Sequence, residues 1–510
     1  MTRKAAPPPD RTRRGARGRA EPPEGAPPAP ARALTDPGGP YLIPLILLYV
    51  SRIIAWVQLP LASEDAYITY RFARNLASGN GLVYNPGEKV MGFSSPVWTV
   101  WNAAGLLLVH DPVLWSRLTS VGADMITLLC VGRLLERHAG RASAWCFTFF
   151  FAAWPFFSAV CVSGMENNLM LALIALGAWL TERGSRGTGP VLGLLALTRP
   201  EGVVSAGILA LGARTRDRIL AAAILLAGAI ALTLYFGSPL PQSVIAKSRL
   251  YGTPGPWEGR FWWDWLLPLW LGRWPSAGEL NMLVPLTVIW AASLAPGAAL
   301  LWRARGSALA RAAAAALAVW LGYAALGVAY FYWYLTVPLA GLTMVAASGL
   351  PRLVRGRALY VTIVLCVLGT WSIARLLYLG RAQAESANFA RVAETLHENS
   401  RPGETVMLEP IGMVGFLNPL RVIDEVGLVS PAVATRRLSG PGWYADIARE
   451  RNPEWLVVRR GVLERGLAFA GRGAPFRDEA ERDSLLARYR ELPGQESETG
   501  DQALIVYRRR

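Results

Sequence analysis

Histidine and cysteine are scarce in this chain of 510 residues, which holds three of the first and four of the second. Cys130, Cys146, Cys161 and Cys366 all fall in apolar segments without metal-ligand spacing. They read as buried small side chains, not as a zinc site or a disulfide framework. No phosphate-binding glycine loop, GxGxxG fingerprint or Ser-His-Asp pattern occurs, so no nucleotide site is legible. Charge is sparse as well: 17% of residues are charged against 53% hydrophobic, and twenty tryptophans are present. A soluble domain of this size needs more polar surface, so the composition implies a polytopic membrane protein. The net charge of +16 sits in Arg clusters between apolar runs. Those clusters read as cytoplasmic anchors and exclude nucleic acid as the partner that explains them.

Residues 1–40 contain ten Pro and eight Lys or Arg with almost no large apolar side chain, the composition of a disordered cytoplasmic tail. Tyr41 to Pro60 follows as twenty largely apolar residues without a small-residue cleavage site, a first transmembrane helix and not a signal peptide. Basic turns then set the parity of the segments to about 379: nine full crossings plus three short or broken ones. Val97 to Val109 counts as partial. The run Gly189 to Gly212 is interrupted by Thr198-Arg199-Pro200-Glu201 and predicts two half-helices, because irregular backbone at membrane depth must line a cavity or be buried in protein. Phe261 to Trp274 and Tyr330 to Tyr334 read as interfacial aromatic belts. From Arg381 the pattern turns soluble. A helix is expected over Asn388 to Glu398 and strands over Thr405 to Leu408, Trp455 to Val458 and Ala503 to Tyr507, a small α/β domain over 381–510. His397 reads as a solvated residue on its polar helix face.

The polar stretch from Leu61 to Pro96 is the candidate catalytic loop. Glu64 and Asp65 sit at a hydrocarbon boundary, where weak solvation raises a carboxylate pKa and makes a better base. Ile68, Phe72 and Leu76 form a stripe with Arg71 and Arg74 off it, as in a helix lying in the membrane surface.

The residues EDAYITYRFARNLASGNGLVYNPGEKVMGFSSPVW resemble the first extracytoplasmic loop of GT-C-fold glycosyltransferases, close to the bacterial terminal arabinofuranosyltransferase-like family. The first acid is Glu64 where Asp is commoner; Asp65 matches. Further elements follow in the family's order: Gly164-Met165-Glu166, with Asn167 in place of Thr; Leu197-Thr198-Arg199-Pro200-Glu201; Pro241 to Lys247, with Gln242 in place of Asn; then ARVAETLHENSRPGETV and VIDEVGLVSPAVA. The resemblance implies an α-helical polytopic GT-C-like body over 41–380 with a C-terminal soluble α/β domain. It implies transfer of a sugar, possibly arabinofuranose, from a polyprenyl-phosphate donor to a hydroxyl of an envelope glycan or glycoconjugate, with inversion.

On that reading Asp65 is the general base, and Glu64 and Glu166 orient the acceptor. Asp65 and Glu166 are also the possible ligands of Mg or Mn, a metal that this chemistry leaves optional. Lys247, Arg199 and Arg249 hold the donor phosphate; their alternatives are a structural Arg199–Glu201 pair and two interface cations. Tyr67, Arg71, Asn85 and Glu88 complete the substrate-binding set. The protein is expected in the bacterial inner membrane, spanning the bilayer several times, with the active site and the C-terminal domain extracytoplasmic. The competing reading is a transporter or flippase of polyprenyl-linked sugars, since broken helices also suit alternating access.

Overall fold

Apolar runs in hydrocarbon must satisfy every backbone N–H internally, and here they do so as helices. The computed structural model describes residues 41–250, 277–326, 331–374, 380–464, 473–492 and 503–510. The tail at 1–40 and the belt at 261–274 lie outside the described residues, as do the side chains of Arg249 and Cys366. The chain divides into Met1–Gly39 and Pro40–Arg510, and all that follows concerns the second unit.

Among the described residues, four helices are long and apolar enough to cross a membrane: Pro112–His138, Thr215–Phe236, Ala308–Leu326 and the stretch Trp333–Leu353. Arg141–Ala153 and Pro155–Val162 make a fifth if counted together, bent by 53° where Pro155 interrupts the hydrogen-bond ladder. Leu42–Gln58 buries Leu48, Ser51, Arg52 and Ala55 at helical spacing while Ile43, Ile46, Ile53 and Val57 are exposed. Such an apolar outer face belongs to a helix solvated by lipid. Pro96–Val109, at 14 residues, is the short segment expected there. At 1.5 Å per residue it reaches about 21 Å, less than the hydrocarbon core. The expected break is also present: Thr188–Thr198 and Gly202–Ala210 are separate helices with Arg199 to Glu201 between them. Cys130, Cys146 and Cys161 are buried free thiols.

The C-terminal sheet has five strands: β1 (Thr405–Leu408), β2 (Arg421–Asp424), β3 (Trp455–Arg459), β4 (Tyr489–Glu491) and β5 (Leu504–Arg509). Their order is β2-β1-β3-β5-β4, with β1 parallel to β2 and β3, and β5 antiparallel to both β3 and β4. Three of these strands match the sequence expectation; β2 and β4 are additional. Trp443, Tyr444, Leu456, Phe476 and Tyr489 pack its core, and His397 is exposed on the helix Gly380–Asn399.

One expectation changes. The helix Glu64–Ala77 does not lie in the lipid surface: Ile68, Arg71, Phe72 and Asn75 are all buried. It is sandwiched between Pro96–Val109 on the membrane side and the C-terminal helix Met413–Leu417. Burial on both faces explains why its polar side carries residues that bond to protein instead of water.

Candidate active site

Three consecutive side chains at the start of the helix Asn167–Glu182 each reach a different element. Glu166, 2% exposed, forms an ion pair with Arg199 Nη1. Asn167 Nδ2 donates to Trp333 O at 2.9 Å, and Asn168 Nδ2 donates to Asp124 Oδ1 at 2.6 Å. The preceding turn is fastened to the loop 61–96 and to the helix after it, with Ser63 N donating to Ser163 O at 2.8 Å and Trp98 Nε1 to Gly164 O at 3.0 Å. Gly164 has φ +84°, and a Cβ there would overlap Tyr70 Oη and crowd Ala66, so only glycine lets this turn sit against Glu64–Ala77.

Arg199 lies between two carboxylates, Glu166 and Glu201, and its guanidinium stands 5.0 Å from the centre of the Tyr334 ring. Tyr323 Oη donates to Glu201, and the Tyr323 ring stacks on Tyr334 at 5.2 Å. Tyr334 meets Phe331 edge-on at 5.6 Å, and Lys247 Nζ lies 4.8 Å from the Phe331 ring centre. The sequence-distant residues Glu166, Arg199 and Lys247 therefore share one continuous cluster, with the aromatics Phe331 and Tyr334 as its bridge. Of the two readings of Arg199, the structure shows the pair with Glu201 and adds Glu166. Two carboxylates against one guanidinium leave Arg199 internally neutralised.

Asp65 stands in the first turn of Glu64–Ala77, half-buried, with no hydrogen-bond or ion-pair partner among the described residues. Its neighbour is placed differently. Glu64 accepts from Gly412 N and from Met413 N, the latter at 2.8 Å. Burial pushes the Glu64 carboxyl up to about 8, with the adjacent Asp65 charge adding to the rise and the two backbone donors opposing it. The upward push expected at this acidic pair is present at Glu64. A Cβ at Gly412 would overlap the Glu64 carbonyl, so glycine is required for this approach.

The four residues read as substrate-binding have another partner. Arg71 donates from Nη1 to Gly415 O and from Nη2 to Leu420 O, both at 2.6 Å, and from Nε to Tyr84 O at 3.0 Å. Asn85 pairs with β2 in both directions, Nδ2 to Val422 O at 2.9 Å and Val422 N to Oδ1 at 3.1 Å. Glu88 forms an ion pair with Arg421, and Tyr67 packs on Phe416 with ring centres 5.6 Å apart. Arg71, Asn85, Glu88 and Tyr67 dock the C-terminal domain onto the loop. Their polar chemistry is consumed by backbone groups and one opposite charge.

Sequence reasoning missed a second buried network. Arg52 Nη2 lies 2.7 Å from Asp124 Oδ2, both at most 1% exposed, and Arg52 Nη1 donates to Ala152 O at 2.6 Å. The signal was there: a charge within each of two apolar segments is expensive unless the two meet. Arg117 likewise holds Leu59, Leu61 and Val162 carbonyls where the loop begins.

Asp65 and Glu166 do not fit a divalent ion. Glu166 is committed to Arg199, and no group of three or more His, Cys, Asp or Glu able to hold a metal occurs among the described residues.

A domain of unknown function, DUF8728, matches residues 375–506. The terminal β-(1→2)-arabinofuranosyltransferase of Mycobacterium tuberculosis is 28% identical over 221 residues, 36% of this chain and 34% of that protein, so the match spans about a third of the relative's length. Among solved structures, ArnT from Cupriavidus metallidurans bound to undecaprenyl phosphate superposes with a TM-score of 0.57 at 12% identity, over 92% of this chain and 98% of that one. The Archaeoglobus fulgidus oligosaccharyltransferase tethered to an acceptor peptide gives 0.51 at 12% identity, over 89% and 72%. At such identities the likeness is one of fold, and the fold is the GT-C fold of membrane glycosyltransferases.

Proposed function

We propose that the protein is a membrane glycosyltransferase that moves a sugar from a polyprenyl-phosphate donor to a hydroxyl of an envelope glycan or glycoconjugate, with inversion at the anomeric carbon. The observation that carries this reading is the single cluster of Glu166, Arg199, Phe331, Tyr334 and Lys247, fastened through Ser163 to the helix that starts at Glu64 and Asp65. The curated relative favours arabinofuranose as the sugar.

In the proposed step an acceptor oxygen attacks the anomeric carbon, and the bond from that carbon to the phosphate oxygen breaks. The hydroxyl proton goes to Asp65, and the bonding electrons leave with the polyprenyl phosphate. Asp65 suits the base role because no donor among the described residues occupies its oxygens. Lys247 is the cation for the departing phosphate, where preorganised charge is worth most. Arg199, neutralised by Glu166 and Glu201, positions the Tyr334–Phe331 bridge beneath Lys247. Arg249 serves as a second phosphate cation. The step is written without a metal.

For topology we retain nine crossings, set by the basic turns, in a bacterial inner membrane, with residues 1–40 as a cytoplasmic tail. The active site and the C-terminal domain then lie outside the cytoplasm.

The test uses the full chain in lipid nanodiscs and in vesicles, supplied with radiolabelled polyprenyl-phosphate sugars and a glycan acceptor. Label in the glycan is the expected result. Label carried across vesicles without transfer would instead support the transporter reading, which the broken helix Thr188–Ala210 favours. Neither result would overturn both.

A further inference from the structure

The helix Asn167–Glu182 begins beside Glu166 and runs for 16 residues, about 24 Å at 1.5 Å each, to a cavity of about 290 Å³ at its far end. The wall is built from the end of that helix, from Thr188 at the start of Thr188–Thr198, and from residues 212–217, where Thr215–Phe236 begins. Arg183, Arg214 and Asp217 line it. None of the three has a hydrogen-bond or ion-pair partner among the described residues, although their charges are opposite.

Asp217 is the costly member. It is 4% exposed, and no donor among the described residues reaches its oxygens. The first turn of a helix favours an anion, so a carboxylate is tolerated there, but the helix field is not a hydrogen bond. Buried carboxylates are ordinarily paired, and an unpaired one on a cavity wall points to a cationic donor from outside the chain. The other acid of the cavity is already filled: Glu182 lies 3.2 Å from Arg137 Nε and 3.1 Å from His138 Nε2.

The two arginines are exposed, so the cavity opens where they stand. Arg214 is laid against Gly184, whose φ is +59° and where a Cβ would overlap the guanidinium, so glycine keeps that side chain along the wall. Arg183 stands 5.5 Å from the centre of the Trp179 ring, and its N–H groups meet no acceptor among the described residues. Apolar surface flanks the opening. Leu211 is 72% and Ile219 64% exposed, and no residue in the apolar stretch of Thr215–Phe236 is buried. Acyl chains cover such a surface in a bilayer.

We propose that this cavity binds the headgroup of a phospholipid carrying both a phosphate and a primary ammonium, as phosphatidylethanolamine does. The ammonium donates to Asp217, Arg183 and Arg214 hold the phosphate, and the acyl chains lie along Leu211 and Ile219. An anionic headgroup without an ammonium meets the Asp217 charge with like charge, and a trimethylated one has no N–H to offer it. The volume stands at the low end of the range for small-molecule sites, about 300 to 1,000 Å³, which suits a headgroup with its chains outside. On the topology proposed above this end faces the cytoplasm, so the lipid belongs to the inner leaflet. The site is independent of sugar transfer.

For the test, the full chain in detergent is titrated with palmitoyl-oleoyl phosphatidylethanolamine, with the corresponding phosphatidylcholine and phosphatidylglycerol, and with free phosphoethanolamine, and bound copies are counted by native mass spectrometry. Kd is expected to be about tenfold lower for the ethanolamine lipid than for the other two, the scale of one charge-assisted hydrogen bond. Asp217→Asn should erase that margin, and Arg214→Gln should weaken binding of the ethanolamine lipid. In nanodiscs, amide exchange of the wild-type chain over 183–189 and 212–217 should be slower in phosphatidylethanolamine than in phosphatidylcholine, a measurement that decides the matter if a variant fails to fold. Equal Kd for the three lipids, a margin that survives in Asp217→Asn, or no slowing in either segment overturns the site. Preference for phosphatidylglycerol marks a plain anion site and overturns the ammonium assignment. Free phosphoethanolamine bound as tightly as the lipid overturns the assignment to a lipid.

Discussion

Glu64 and Asp65 are adjacent carboxylates on one helix turn, yet their surroundings divide the loop into two regions. Glu64 faces the C-terminal domain and is filled by the N–H groups of Gly412 and Met413. Asp65 has no such donor among the described residues. Arg71, Asn85 and Glu88 follow Glu64 into docking, whereas Glu166, Arg199 and Lys247, from outside the loop, gather in a separate cluster. Residues of one short polar stretch therefore have different surroundings, set by which of them meet backbone donors and acceptors of the C-terminal domain.

The comparison breaks most visibly at Lys247. Lys247→Ala should lower the transfer rate by about 10²-fold or more, the scale for losing one preorganised charge at a leaving group, with Lys247→Arg recovering part of it. Initial rates of donor consumption read this directly; an unchanged rate in Lys247→Ala would remove that cation from the step. On the docking side, Arg71→Ala removes a buried guanidinium that bonds three carbonyls. The expected loss is about 3 kcal/mol of docking stability. Trypsin should then cut between the helix Glu64–Ala77 and the C-terminal domain faster than in wild type, and equal digestion rates would contradict the docking role.

A smaller effect follows from the raised carboxyl of Glu64, about 8 against an ordinary 4.5. Between those values the folded chain keeps a proton that the unfolded chain releases, so the Glu64 contribution is full below about 4.5 and is lost as pH rises through 8. Melting temperatures at pH 5 and pH 8 should differ less in Glu64→Gln than in wild type. An equal difference in both proteins would place the titration elsewhere. The smallest expected effect is that of a chelator: because Glu166 is bound to Arg199, EDTA should change transfer by less than about twofold, and abolition of activity by EDTA would show that a metal acts there.

Much of the membrane architecture was legible because lipid imposes long apolar runs and places breaks where Pro and charge interrupt them. The division at Arg199–Pro200–Glu201, the short helix after Pro96 and three of the five strands follow from such local rules. The roles of Arg71 and Asn85 do not, since their partners lie more than 330 residues away at Gly415, Leu420 and Val422. An exposed-looking polar pattern has no means of announcing that protein backbone, and not water or substrate, covers it. β4, three residues long, is too short for an alternating pattern to emerge. The Arg52–Asp124 pair was marked by isolated charges in apolar runs, but only the fold joins them.

The most direct test is single-turnover transfer with saturating donor and acceptor, comparing Asp65→Asn and Glu64→Gln with wild type in one preparation. Asp65→Asn should bind the donor yet lose about 10²- to 10⁴-fold in the rate of transfer, the scale for removing a general base, and Glu64→Gln should lose far less. Wild-type transfer by Asp65→Asn, or a larger loss in Glu64→Gln than in Asp65→Asn, would contradict the division of labour between these two acids.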